Sequence, residues 1–167
     1  MLVMDLDASA PDAAEITEWI KFTYPATVIA VAQGATFFSL DENHWPNFAT
    51  IVTTDEHDMG APSKLSRPGV FRLNIATRKQ TFQRLVGDVE HPDHAALDRI
   101  LPHPVYAKEL WVCVLNPSRR TFEEHVKPLL AEAHERLARA RRRRQSSSAN
   151  IPEGLHDDQI EAGGGSR

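Results

Sequence analysis

Eight histidines occur in 167 residues, and His91, His94 and His103 fall with Asp93 in one Pro-rich stretch where neutral imidazoles and a carboxylate could converge on a divalent cation. An HxxH spacing outside a helix, with no Cys or Glu at a fixed offset, brings no ligand geometry of its own, and histidines in surface turns explain the same residues. A second cluster, Asp55, Glu56, His57 and Asp58, has the groups to hold a cation or to act as acid and base, but it reads more simply as solvated loop charge. Cys113 is the single cysteine, and VCV surrounds it with apolar neighbours that disfavour a thiolate. No metal and no cofactor is assigned on these grounds, and the chain reads as a binder more than as an enzyme.

The more specific pattern is VFRLNI. Alternation along a strand sends Phe71, Leu73 and Ile75 to one face and Arg72 and Asn74 to the other. If that second face is open, Arg72 and Asn74 are available to a ligand. Arg67, His103, Tyr106 and Trp111 then complete a polar-aromatic groove with the composition of a small binding pocket. Pairing with cross-strand neighbours accounts for the same two polar residues. A further candidate surface is basic: Lys127, Arg139, Arg141, Arg142, Arg143 and Arg144 offer phosphate contacts to a nucleic acid, although cations at a helix C-terminus also complement its dipole.

Those side chains need a scaffold, and the sequence outlines one. Ser9, Pro11 and Asp12 read as a helix start with Ser9 as N-cap, followed by Ile16, Trp19, Ile20 and Thr23 at helical spacing up to Pro25. Thr27 to Ala32 and Thr36 to Leu40 form a hairpin about Gln33-Gly34, and Phe48 to Thr53 is a third strand. Met59 to Pro68 is a loop, and the strand at 70–75 follows. Thr77 and Gln80 have capping-box spacing for a short helix carrying Phe82, Leu85 and Val86. Residues 88–109 are a connector with one helical turn around Ala95 to Ile100, and Leu110 to Leu115 is apolar enough for the middle of a sheet. The last helix starts at Ser118 or Thr121 and presents Phe122, Val126, Leu129, Leu130, Ala133 and Leu137, with Pro128 kinking it or marking its start. Trp19 is expected in the core, and Trp45 and Trp111 against the sheet.

The order α-β-β-β-β-α-β-α predicts an α+β two-layer sandwich, with an antiparallel sheet of about five strands covered by helices. The expected organisation is a flexible lead over 1–10, one domain over 11–145 and a disordered tail over 146–167, the tail being rich in Ser, Gly and acids. Composition sets the outer bounds, since 41% apolar and 25% charged residues describe a globular chain. One cysteine and the lack of a basic leader or an apolar span point to a reducing, cytoplasmic setting with no membrane partner. The net charge of −4 divides into −6 over 1–118, +5 over 119–145 and −3 over 146–167.

RPGVFRLNI (Arg67 to Ile75) and LPHPVYAKELWVCVLNPS (Leu101 to Ser118), with the closing amphipathic helix, carry a resemblance. Over about residues 12–140 the chain resembles the bacterial domain-of-unknown-function family numbered 6194. More remotely, its element order and the Tyr106 to Trp111 spacing are similar to MmcQ/YjbR-like proteins, whose compact α+β fold is sometimes described as DNA-binding-like. Neither resemblance implies a catalytic residue or ligand. The expected function is an uncharacterised binding or interaction module for a small molecule or protein. A nucleic-acid binder using the basic helix end, and a metal-dependent or acid-base enzyme using His57, His91, His94 or His103, are the alternatives.

Overall fold

The computed structural model describes residues 9–149. Helix α1 (Ala13–Thr23) begins at Asp12, whose carboxylate accepts the Glu15 N–H at 2.8 Å. Asp12 and not Ser9 is thus the cap. Beyond Pro25 the chain enters β1 (Val28–Ala32), β2 (Ala35–Ser39), β3 (Asn47–Val52) and β4 (Arg72–Ala76). The β1–β2 turn is made by Gln33 and Gly34 at φ 49° and 71°, the left-handed pair that a tight hairpin requires.

Helix α2 (Lys79–Val86) follows β4. Its expected capping box does not form, because the Thr77 hydroxyl donates to the Leu110 carbonyl at 2.6 Å and the Arg78 N–H is taken by Glu132 at 3.2 Å. No helix forms at 95–100. The connector instead supplies a two-residue strand, β5 (Leu101–Pro102), which pairs with β6 (Trp111–Leu115) and makes the sheet six-stranded. Strand order is β1-β2-β3-β4-β6-β5, antiparallel throughout. Leu110 stays outside β6 in a left-handed conformation that closes the 3₁₀ turn Ala107–Glu109.

Ser118 caps the final helical run, accepting the Thr121 N–H at 3.1 Å. That run has three parts: α3 (Arg119–Thr121), a π turn (Phe122–Val126) and α4 (Lys127–Ala149). Pro128 has no N–H to give the Glu124 carbonyl, and the Lys127 N–H reaches five residues back to Phe122, which is the π spacing. The helix runs through Ala149, past the expected start of the tail. The expectations for 1–8 and 150–167 lie outside the described residues.

The helices cover one face of the sheet. Ile16, Ile20, Phe122, Val126, Leu130 and Ala133 pack there on Phe38, Ala49, Ile51, Leu73, Ile75, Val112 and Val114. The opposite face is covered by loops. A smaller apolar cluster forms on it from Ala35, Val52, Leu65 and Leu115, joined by Phe37 and Val70. Trp19 packs against Tyr24 and Phe122. Trp45 lies 72% exposed in the β2–β3 loop and does not pack on the sheet as expected, because the loop carries it past the strand ends.

Candidate functional site

Strand register dictates which side chains meet on the loop face. Val52, Arg72 and Leu115 form one cross-strand row, and Thr50, Asn74, Cys113 and Leu101 form the next. Apolar or small neighbours such as these around one guanidinium would be a costly burial unless its charge and donors were met. They are met from the loop. Arg72 is 1% exposed; its Nη1 donates to the Asp58 carboxylate and to Ser63 Oγ at 2.9 Å, and its Nε donates to Asn74 Oδ1 at 2.8 Å. Asn74 passes the network on through Nδ2 to Thr50 Oγ1 at 2.9 Å.

The face whose openness would have made Arg72 and Asn74 available is closed. Arg72 and Asn74 do project opposite Leu73 and Ile75, but residues 55–69 lie over them. Asp55 anchors that segment by accepting the Leu65 and Ser66 N–H groups at 2.8 and 3.0 Å, and Leu65 is buried beneath it. Arg67 ties it to the connector, donating from Nη2 to the carbonyls of Ser63 at 3.1 Å and Ala95 at 2.9 Å. The tip between these anchors is different. Met59 is fully exposed, Gly60 has open space around it, and Ala61 and Lys64 adopt left-handed φ values of 47° and 49°. Such conformations cost a non-glycine residue about 1–2 kcal/mol each.

His103 borders this network from just beyond β5. Its Nδ1 accepts the N–H groups of Val105 and Tyr106, both at 3.0 Å, which places the ring proton of the neutral form on Nε2. Its pKa is lowered to about 3, first by burial and then by the Arg72 charge, against the opposing pull of Asp58. The ring lies 5.0 Å from that of Tyr106, which is half exposed. Trp111, half-buried at the start of β6, pairs with Ala76 and accepts the His103 N–H at 2.9 Å through its carbonyl. Cys113 is buried with its Sγ 3.7 Å from the Pro102 carbonyl, and burial drives its pKa up to about 12, the inert setting expected for it.

Of the residues named from sequence, Arg72, Asn74 and His103 thus surround one buried polar centre. Arg67 is a loop anchor at its margin, and Tyr106 lies at its rim. Sequence reading placed Asp58 in a loop charge cluster and overlooked Ser63 and Thr50. Thr50 could have been found from the alternation of β3, whereas loop residues such as Ser63 have no period to betray their partner.

Among the described residues the histidines do not assemble into a metal set. His57 bonds the Gln33 carbonyl at 2.8 Å, His94 the Pro102 carbonyl at 3.0 Å, and no group of three or more His, Cys, Asp or Glu is placed to hold a metal ion among the described residues. The basic set divides as well. Lys127 pairs with Glu123 at 2.6 Å and lies 5.2 Å over the Trp19 and Phe122 rings, roughly 18 Å along the helix from Arg139 at the usual rise per residue. Arg139 and Arg142 both approach Glu135, at 3.6 and 3.3 Å, while Arg141 and Arg144 line a shallow groove with Asp41 and Pro46. Arg143 is exposed. Among the described residues no helix is long and apolar enough to cross a membrane.

An antiparallel sheet with helices on one face and a loop-sealed arginine centre on the other defines an α+β protein of the two-layer kind. The chain belongs to a family of unknown function, DUF6194, whose model matches residues 11–147. No curated protein and no solved structure matches it, and nothing found bears on the remoter likeness to MmcQ/YjbR-like proteins.

Proposed function

We propose that the protein is a binding module for a small anionic molecule carrying a carboxylate, received by Arg72 on the loop face when the Asp58 carboxylate gives way. One observation carries this reading. A guanidinium only 1% exposed is neutralised by a carboxylate that directly precedes a loop tip with left-handed Ala61 and Lys64, so Asp58 occupies the position that a ligand carboxylate would take.

The surrounding groups suit that role. Ser63, Asn74 and Thr50 hold the arginine fork in place, and a rigid fork is what bidentate carboxylate recognition needs. His103, neutral at ordinary pH, supplies an N–H donor without repelling Arg72. Opening confined to Asp58–Pro62 parts Asp58 from Arg72, a loss that the ligand carboxylate makes good, and leaves the Asp55 anchor in place. Release of the left-handed Ala61 returns about 1–2 kcal/mol, while Leu65, whose exposure would cost about 1.5–3 kcal/mol, stays seated.

The test is a ¹⁵N-resolved titration of the full chain with succinate, citrate and inorganic phosphate. Saturable shifts at Arg72 to Asn74, Ser63 and Val105 to Tyr106 are expected with at least one carboxylate. Shifts confined to exposed basic residues, or none, would show that the Arg72 centre only pins the loop.

A further inference from the structure

A second cavity lies on the other side of the molecule, between α2 and the π turn of the last helix. It holds about 220 Å³ and is lined by Thr81, Arg84 and Leu85 from one helix and Glu124, His125, Pro128, Leu129 and Glu132 from the other. This exceeds the roughly 150 Å³ that accommodates benzene in an engineered protein cavity.

The charges in it are arranged for a guest. Glu132 is fixed at both oxygens, one accepting the Thr81 hydroxyl at 2.6 Å and the other the Arg78 N–H at 3.2 Å. These donors are neutral, so the carboxylate is oriented with its charge uncompensated by them. Arg84 faces the same cavity, yet no ion pair joins it to Glu132 or to Glu124 among the described residues; Glu124 bonds Arg120 at 3.2 Å instead. Opposite charges thus line one space without closing on each other. The wall between them is apolar where Leu85, Pro128 and Leu129 contribute.

The π turn contributes the shape of this space. Because Pro128 cannot complete the ordinary helical bond, the backbone widens at Phe122–Val126 and carries Glu124 and His125 onto the cavity rim. A site of this kind is larger than a bound water needs and too small for a folded partner.

From this arrangement we infer that the cavity binds a small zwitterion of amino-acid type, its ammonium received by Glu132 and its carboxylate by Arg84, with His125 at the anionic end. The two charges of the guest replace the ion pair that the protein does not make. The site is separate from the Arg72 centre and does not depend on that reading.

The experiment is a ¹⁵N-resolved titration of the full chain with γ-aminobutyrate, L-alanine and L-leucine, with acetate and methylammonium as single-charge controls. At least one zwitterion is expected to give saturable shifts at Thr81 to Leu85 and Glu124 to Glu132, with each control at least tenfold weaker. Glu132→Gln keeps the shape of the anchor, and Arg84→Ala alters an exposed side chain; each is expected to weaken binding by tenfold or more in a variant whose spectrum remains folded. Absence of saturable shifts at these residues, equal response to acetate or methylammonium, or wild-type affinity in folded variants would each overturn the assignment.

Discussion

Replacing Asp58 by Asn removes one charge and keeps the side-chain shape, which isolates what that charge does for Arg72. In the variant the guanidinium stays buried with Ser63 Oγ, Asn74 Oδ1 and the new amide at position 58 as its side-chain partners, all neutral. An uncompensated buried charge costs about 3–5 kcal/mol, equivalent to a fall in melting temperature of roughly 6–20 °C for a chain of this size. The reverse deletion, Arg72→Met, is milder at about 1–3 kcal/mol, because the Asp58 carboxylate sits beside fully exposed Met59 and can turn into water. The double variant is therefore expected to lose less than the sum of the two single losses. Urea unfolding at neutral pH of the four proteins gives the coupling directly. An Asp58→Asn variant within 1 kcal/mol of wild type, or strictly additive losses, would refute the reasoning that Arg72 depends on this carboxylate.

Further expectations concern other parts of the fold. His103 binds a proton less readily folded than unfolded, its pKa falling from 6.5 to about 3, so the unfolded state holds more protons between those values. Its contribution is present above about pH 6.5 and is lost as pH falls toward 3; His103→Asn, whose Oδ1 can accept the same two N–H groups, is expected to flatten that loss in urea midpoints taken from pH 7 to 4, and an unchanged slope would contradict the assignment. Cys113 is expected to react with a thiol reagent only at the rate of unfolding, and prompt modification of the native protein would show the strand pair β5–β6 to be open. Gly34→Ala forces a Cβ to 2.5 Å from Thr54 Cγ2 at a left-handed φ of 71°, with an expected loss of about 1–2 kcal/mol by thermal unfolding; a neutral result would mean that the hairpin turn has rearranged.

Periodicity made the two faces of the sheet legible in advance. The alternation of Arg72 and Asn74 with Leu73 and Ile75 is visible in sequence because each strand residue reports only its own side. The cover over that face was not visible. Residues 55–69 are held by an Asp55 side chain accepting backbone N–H groups and by Arg67 donating to carbonyls, bonds that depend on loop geometry and leave no pattern in residue order. Strand β5 escaped for a related reason: two residues, one of them a proline, are too short for alternation, and only their register with Val112 and Cys113 makes them a strand. Thr77 misled because a hydroxyl three residues before a glutamine suits a cap, yet the Leu110 carbonyl, 33 residues away in sequence, claimed it. Ser118, one of the two caps the sequence offered, and the hairpin glycine were legible since their partners lie within a few residues.

The basic helix end shows the same division. Its arginines are close in sequence, Arg139 and then Arg141 to Arg144, which suggests a single patch, but a helix rotates successive residues by about 100°. Arg139 and Arg142 consequently share Glu135, whereas Arg141 and Arg144 line a groove beside the β2–β3 loop.

The affinity of a small carboxylate for wild type and for Asp58→Asn, measured by calorimetry with succinate and citrate at fixed ionic strength, tests the central claim most directly. If Asp58 competes for Arg72, the variant binds at least tenfold tighter, and the bound carboxylate restores stability as concentration rises, by about 2.7 kcal/mol at one hundred times Kd. Equal or weaker binding by a folded Asp58→Asn variant would contradict the claim and leave the Arg72 centre as a clamp on the loop.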